Sequence, residues 1–197
     1  MKNIKKLYQK VAFYRGSELF VAGNFDLALE NFKNSLTVPL DAEITAKATY
    51  WKAEANYRMN NFTEAETGFN VFLSNTEASK TTEYKHINYN LGYAYFKQKK
   101  YDMAITEFLK YINKNTDDVI RRNDSYLRIG DGYFANSKYV NAIKYYTKAI
   151  EINGNDNDYA QFQKAISFGL TGNENAKISA LNSFINSQQK SIYKDDA

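Results

Sequence analysis

The chain has 197 residues, and its 26 Lys plus Arg against 22 Asp plus Glu leave a net charge of +4. That length holds one substantial domain or a short repeat array with a real core, and 44% apolar with 24% charged residues excludes wholesale disorder. The absence of Cys removes disulfides, thiol catalysis and Cys-ligated zinc; a single His, His86, removes most metal and triad chemistry; a single Pro disfavours turn-dense all-β folds and favours long helices.

The N-terminus, Met1 to Leu7, has the basic start of a signal peptide, but Tyr8-Gln9-Lys10 and Arg15 interrupt the place where an apolar run should follow. No stretch approaches the roughly 18 apolar residues of a membrane span. As written, the chain reads as neither exported nor inserted directly in a membrane.

From there a pattern recurs. Phe25-Asp26-Leu27-Ala28, Phe62-Thr63-Glu64-Ala65, Tyr101-Asp102-Met103-Ala104 and Tyr139-Val140-Asn141-Ala142 each place an aromatic three residues before an Ala. Twelve residues before that Ala stands a small residue, in order Gly16, Ala53, Gly92 and Gly130; four residues after it stands Phe32, Phe69, Phe108 or Tyr146. A degenerate fifth copy runs from Ala165 through Gly172-Asn173 to Leu181, with Lys177 where Ala is expected. Apolar residues at three- and four-residue spacing on both sides of each break predict two amphipathic helices of about 15 residues per copy. Asn24, Asn61 and Asn173 are good N-cap types at the breaks, and Asp26 and Glu64 fall early in the next helix, where the dipole favours anions. The small residue and the Ala let two backbones approach closely. Because their interval is constant while the copy spacing varies, the extra length lies in linkers at residues 37–40, 75–78, 115–118 and 153–156. In the last linker Gly154 reads as a helix stop and Asp156 or Asp158 as the following N-cap; its oxygen ligands lack the spacing of a calcium loop.

Leu91-Gly92-Tyr93-Ala94-Tyr95 followed by Tyr101 to Phe108, and Ile129-Gly130-Asp131-Gly132-Tyr133 followed by Tyr139 to Tyr146, resemble tetratricopeptide repeats (TPRs). The resemblance implies an all-α, right-handed α-solenoid of about five helix-turn-helix repeats, near 4–40, 41–77, 79–116, 117–153 and 157–190. Copies longer than the usual 34 residues resemble those of bacterial envelope TPR proteins. Residues 191–197 line up with Val119 to Ser125, the lead-in to a first helix, so they read as the start of a sixth, truncated repeat. On that reading the chain is a segment of a longer protein of the periplasm or cell envelope; read as complete, it is cytoplasmic.

The resemblance further implies a ligand-binding inner face lined by the first helix of each pair. Three residues before the small position come Phe13, Tyr50, Tyr89, Leu127 and Phe162; four after it come Phe20, Tyr57, Phe96 and Phe134. Glu54, Tyr93 and Asp131 follow the small residue directly, and Arg58, Lys97 and Arg128 lie beside them. Rings supplying area and charges setting register suit an extended peptide or a partner helix. Many of these rings are equally suited to packing between repeats. The carboxylate clamp of chaperone-tail binding TPRs is not matched: the first flanking position is aromatic or Leu in every copy, and Arg128 and Asn90 are isolated matches beside Asp124.

The expected function is a non-catalytic protein-binding scaffold without cofactor or metal; the alternative is a structural spacer or self-assembly segment that associates end to end. The basic clusters at Lys97 to Lys100, Arg121-Arg122 and Lys144 to Lys148 lie among acidic residues and form no nucleic-acid stripe.

Overall fold

A computed structural model describes residues 2–152, 157–188 and 191–196. Among them are ten α-helices and no strand: α1 (Lys2–Val21), α2 (Phe25–Leu36), α3 (Ala42–Arg58), α4 (Phe62–Ser74), α5 (Ile87–Lys97), α6 (Tyr101–Lys114), α7 (Val119–Ala135), α8 (Tyr139–Ile152), α9 (Asn157–Leu170) and α10 (Glu174–Ser187). No described helix is long and apolar enough to cross a membrane. The chain divides into two compact units, residues 1–99 and 100–197.

In the first unit α1 and α2 meet where Gly16 lies under Phe32. A Cβ on Gly16 would fall 2.8 Å from that ring, so any larger residue would force the helices apart. Phe13, Leu19, Ala28 and Phe32 join Ile44 and Ala48 of α3 in one core, with Phe20, Leu36 and Trp51 at its edge. Between α3 and α4 the small pair is Ala53 and Gly68, where an added Cβ would come within 2.7 Å of the Ala53 Cβ. The link from α4 to α5 departs from the predicted linker and long helix. The Asn75 side chain accepts from the Glu77 N–H at 2.9 Å, an Asx turn that bends the chain into two short 3-10 turns at Ala78–Lys80 and Thr82–His86. Consequently α5 has only 11 residues.

In the second unit Gly130 on α7 lies under Tyr146 of α8, with an added Cβ 2.6 Å from the ring. Leu127, Ala142, Tyr146, Ala149 and Ala160 form the core there. Phe184 of α10 is buried against Phe162 of α9, centroids 6.0 Å apart. Residues 192–196 make turns, not a helix. The Ser191 hydroxyl donates to Asp158 at 2.7 Å and the Tyr193 ring stacks on Phe162 at 5.4 Å.

Every break between paired helices uses one device. Gly23, Asn60, Lys99, Ser137 and Gly172 take positive φ, between 56° and 80°, and each stands five residues before Ala28, Ala65, Ala104, Ala142 or Lys177. Within each unit the left-handed residue turns the chain through the tight corner between the two helices of a pair. Gly172 takes this φ five residues before Lys177, the position read from the sequence as the Ala site of the fifth copy. Capping is only partly as expected. Asn173 accepts from the Ala176 N–H at 3.1 Å, but Asn24 and Asn61 make no side-chain cap bond and start their helices through their carbonyls, which accept from Ala28 and Ala65. Asp41 and Asp118 cap α3 and α7 instead. Gly154 and Asp156 lie outside the described residues, and Asp158 sits within the first turn of α9 rather than before it.

Candidate binding faces

On the first helix of each pair the rings singled out in the sequence divide by depth. Of the residues three before the small position, Phe13, Tyr50 and Leu127 are buried, and only Tyr89 and Phe162 are part-exposed. Tyr50 goes inward because it packs on Phe69 and Phe72 of α4, at 5.6 and 5.3 Å. The rings four after the small position clasp the start of the second helix. Phe20 meets Phe25, Tyr57 meets Phe62 and Phe134 meets Tyr139, all edge-to-face at 5.1 to 5.5 Å. A large part of each of these rings therefore closes a helical corner.

In the first unit α3 and α5 meet around Glu54, which is buried. Arg58 Nε donates to one carboxylate oxygen at 2.9 Å, and the Asn90 amide on α5 donates to the other at 2.8 Å and to the Tyr50 hydroxyl oxygen at 3.0 Å. Charge and lone pairs are thus met without water, as a buried carboxylate requires. Arg58 keeps about half its side chain exposed, and its guanidinium lies 5.9 Å over the Phe20 ring. Tyr89 and Tyr93 pack edge-to-face at 5.1 Å; Tyr57, Tyr93 and Phe96 are half-buried, and Lys97 is exposed.

In the second unit the same position, directly after the small residue, holds Asp131. One of its oxygens accepts from the hydroxyls of Tyr146 at 2.9 Å and Tyr159 at 2.8 Å, while the other accepts from Arg128 at 2.7 Å. Arg128 also faces Asp124 at 3.5 Å. Burial pushes the Asp131 carboxyl above its ordinary value, with the nearby Asp124 adding to it, against the pull of Arg128 and the two hydroxyls. Burial and the Asp131 charge push both phenols up. Phe134 stays half-buried at the end of α7.

Sequence reasoning picked out Glu54 and Asp131 together with Arg58 and Arg128, but did not pair them with Asn90, Tyr146 and Tyr159. Asn90, Tyr146 and Tyr159 lie 15 to 36 residues away from the carboxylates they serve. The available signal was positional, a polar residue on the neighbouring helix at matching height. A second cluster was also missed. Tyr133 stacks on Tyr145 at 5.5 Å, Tyr126 lies 6.3 Å from Tyr145, and the Lys148 ammonium sits 5.5 and 5.3 Å from the Tyr126 and Tyr145 centroids. Lys144 and Lys148, one of the basic clusters noted in the sequence, are partly occupied in cation–π contact with these rings. Among the described residues no three or more His, Cys, Asp or Glu gather as metal ligands.

Three models described as tetratricopeptide repeat match the sequence, at residues 15–80, 86–113 and 124–156. No curated protein matches the chain in sequence. Among solved structures, the crystal structure of MamA superimposes with a TM-score of 0.77 at 19% identity, covering 93% of each chain. MamA from Desulfovibrio magneticus RS-1, residues 41 to the end, gives 0.75 at 12% identity, covering 94% of this chain and 97% of that one. YrrB, described as a TPR protein with an unusual peptide-binding site, gives 0.75 at 16% identity, covering 94% and 89%. At these identities the likeness concerns the fold, an all-helical TPR solenoid.

Proposed function

Since the chain belongs to the tetratricopeptide repeat family, we propose that it is a non-catalytic protein-interaction scaffold which holds a peptide or a partner helix on the inner face of its first helices. The observation that carries this reading is the face of α3 and α5 in the first unit. Tyr57, Tyr89, Tyr93 and Phe96 keep part of their rings exposed while the core rings of the same unit are sealed, and Arg58 and Lys97 stand exposed beside them. Half-exposed rings give a ligand apolar area at little entropy cost, since each has only two rotatable bonds. The cations select acidic groups and set register. Glu54, already satisfied by Arg58 and Asn90, fixes that geometry before a ligand arrives, which lowers the ordering cost of binding. That YrrB is described as having a peptide-binding site is consistent with this use of the fold. The second unit presents its own face around Arg128, Asp131 and Phe134, where Tyr193 already covers Phe162.

The test is selection from a random peptide display library against the whole chain, followed by fluorescence polarisation with the selected peptides. Tyr93→Ala with Phe96→Ala should weaken binding by about 2 kcal/mol or more, as ring truncation at a binding hot spot does, with the circular dichroism spectrum unchanged. Selected peptides that bind this variant as tightly as the parent chain would place the ligand site elsewhere.

A further inference from the structure

Trp51 stands two residues before Ala53, the small residue of its copy, and its indole Nε1 donates to the Glu83 carboxylate at 2.9 Å. The same repeat position holds Asn90 in the third copy and Arg128 in the fourth, which donate to Glu54 at 2.8 Å and to Asp131 at 2.7 Å. Three first helices thus use this position to hold a carboxylate.

What differs is where the carboxylate comes from. Glu54 and Asp131 are seated in α-helices, with side chains 9% and 10% exposed. Glu83 comes from the 3-10 turn Thr82–His86, none of whose residues is buried. Five residues is long for a 3-10 run, whose hydrogen bonds are poorer than those of an α-helix. The turn also lacks a side-chain cap. Twelve residues before the small position, where Asp41 and Asp118 cap α3 and α7, the third copy has Lys80, whose ammonium pairs with Glu77 at 2.9 Å. The acceptor for Trp51 is therefore carried by a segment of low local stability.

Trp51 adjoins the candidate face of the first unit. It is part-exposed and lies edge-to-face against Phe20 at 5.1 Å, the ring that also carries the Arg58 guanidinium. Lys47, four residues earlier on α3, stands on the same side of the helix. Its bond to Glu43 holds the Lys47 ammonium above its ordinary value, against burial, and the Glu83 charge adds to that. A carboxylate at Trp51 thus meets an N–H donor with a cation nearby. Were Glu83 to leave unreplaced, the indole N–H would lose its acceptor; an incoming carboxylate restores both the hydrogen bond and the charge. We propose that Trp51, with Lys47 beside it, is a carboxylate subsite of this face, which the chain's own Glu83 fills as a stand-in and which an acidic residue of the bound peptide takes over. The exchange with a peptide rests on the peptide-binding reading; the subsite itself does not.

The chain has a single Trp, so its indole N–H gives one cross-peak in a nitrogen-proton NMR correlation spectrum of the whole chain. Glu83 is part-exposed and Ala is a good helix former, so Glu83→Ala should leave the circular dichroism spectrum unchanged and move that peak. Sodium acetate, titrated at constant ionic strength, should return it toward the parent position with saturation; acetamide, of the same shape without the charge, should not. The parent peak should ignore both. The subsite is overturned if the variant's peak does not move, if acetate and acetamide act alike, or if the parent chain responds to acetate as the variant does. The second arm uses peptides selected on the parent chain. Those containing Asp or Glu should bind Glu83→Ala about fivefold or more tighter, because the competing carboxylate is gone, and adding Trp51→Phe should remove the gain. Unchanged or weaker binding to Glu83→Ala overturns the stand-in role. Should the parent chain select no peptide, the peptide-binding reading falls by itself, and the acetate titration still decides the subsite.

Discussion

Glu54 in the first unit and Asp131 in the second occupy the same repeat position, directly after the small residue of a first helix, and both are withdrawn from water. They are satisfied by different chemistry. Glu54 is held by a guanidinium that remains half in solvent and by an amide on α5. Asp131 draws in two phenol hydroxyls, from α8 and α9, together with Arg128, whose side chain is only 24% exposed. The first arrangement ties two helices and leaves the Arg58 cation half in solvent. The second ties three helices and turns its polar groups inward. The comparison teaches that one repeat position can leave its cation half in solvent or draw it inward, depending on what the neighbouring helices offer.

The sharpest way to break that distinction is truncation. Asp131→Ala strands the fully buried Tyr146 hydroxyl and leaves Arg128 to Asp124, and should cost about 2–4 kcal/mol. Glu54→Ala frees an Arg58 that can rehydrate, and should cost about 1–2 kcal/mol. Urea unfolding followed by circular dichroism, with m-values compared, measures both; equal losses would mean that the two sites do the same job.

A smaller and oppositely signed pair of effects should appear with pH. Burial would raise the Asp41 carboxyl, but the Ile44 N–H and the ammonium groups of Lys6 and Lys10 outweigh it and hold the group below its ordinary value of 3.8. Its contribution is present above about that pH and lost as pH falls through the lowered folded value. Asp131 is raised, so its contribution is fully present below 3.8 and lost as pH rises through the folded value. The stability advantage of the parent chain over Asp41→Asn should therefore grow on going from pH 3 to pH 5. Its advantage over Asp131→Asn should shrink from pH 4 upward. Paired urea titrations across that range check both signs.

The smallest effect concerns the corners. Ser137 in the second unit takes φ of 56° and Asn60 in the first 63°. Asn adopts the left-handed region with little penalty, whereas a Ser Cβ there meets the following carbonyl. Ser137→Gly should raise stability by up to about 1 kcal/mol and Asn60→Gly by no more than a few tenths. Thermal melts of the two variants would show whether the second unit carries this strain.

Much of the fold was legible in the sequence because it depends on spacing. The interval of twelve between Gly16 and Ala28, or Gly130 and Ala142, is the separation needed for two antiparallel helices to cross at small residues, and the aromatic four residues on fills the gap beside that crossing. The fifth copy was harder to place, since Lys177 and Leu181 hide the pattern; Gly172, in the left-handed region, restores it. The 3-10 turns before α5 escaped notice because they follow from an Asx turn at Asn75, a single side-chain hydrogen bond with no periodicity. The candidate faces were half legible. Spacing placed Tyr50 and Tyr57 on the first helix, but only contact with Phe69, Phe72 and Phe62 shows how far each ring turns inward.

The sequence by itself thus determined the helix pairs, their corners and the small residues at their crossings, because each is a local consequence of helical period and backbone sterics. Only the tertiary structure decided which rings are sealed and which stay open, and that Asn90 meets Glu54 while Tyr146 and Tyr159 meet Asp131. Those outcomes rest on contacts between residues far apart in the chain, where burial and hydrogen-bond geometry, rather than period, select the partner.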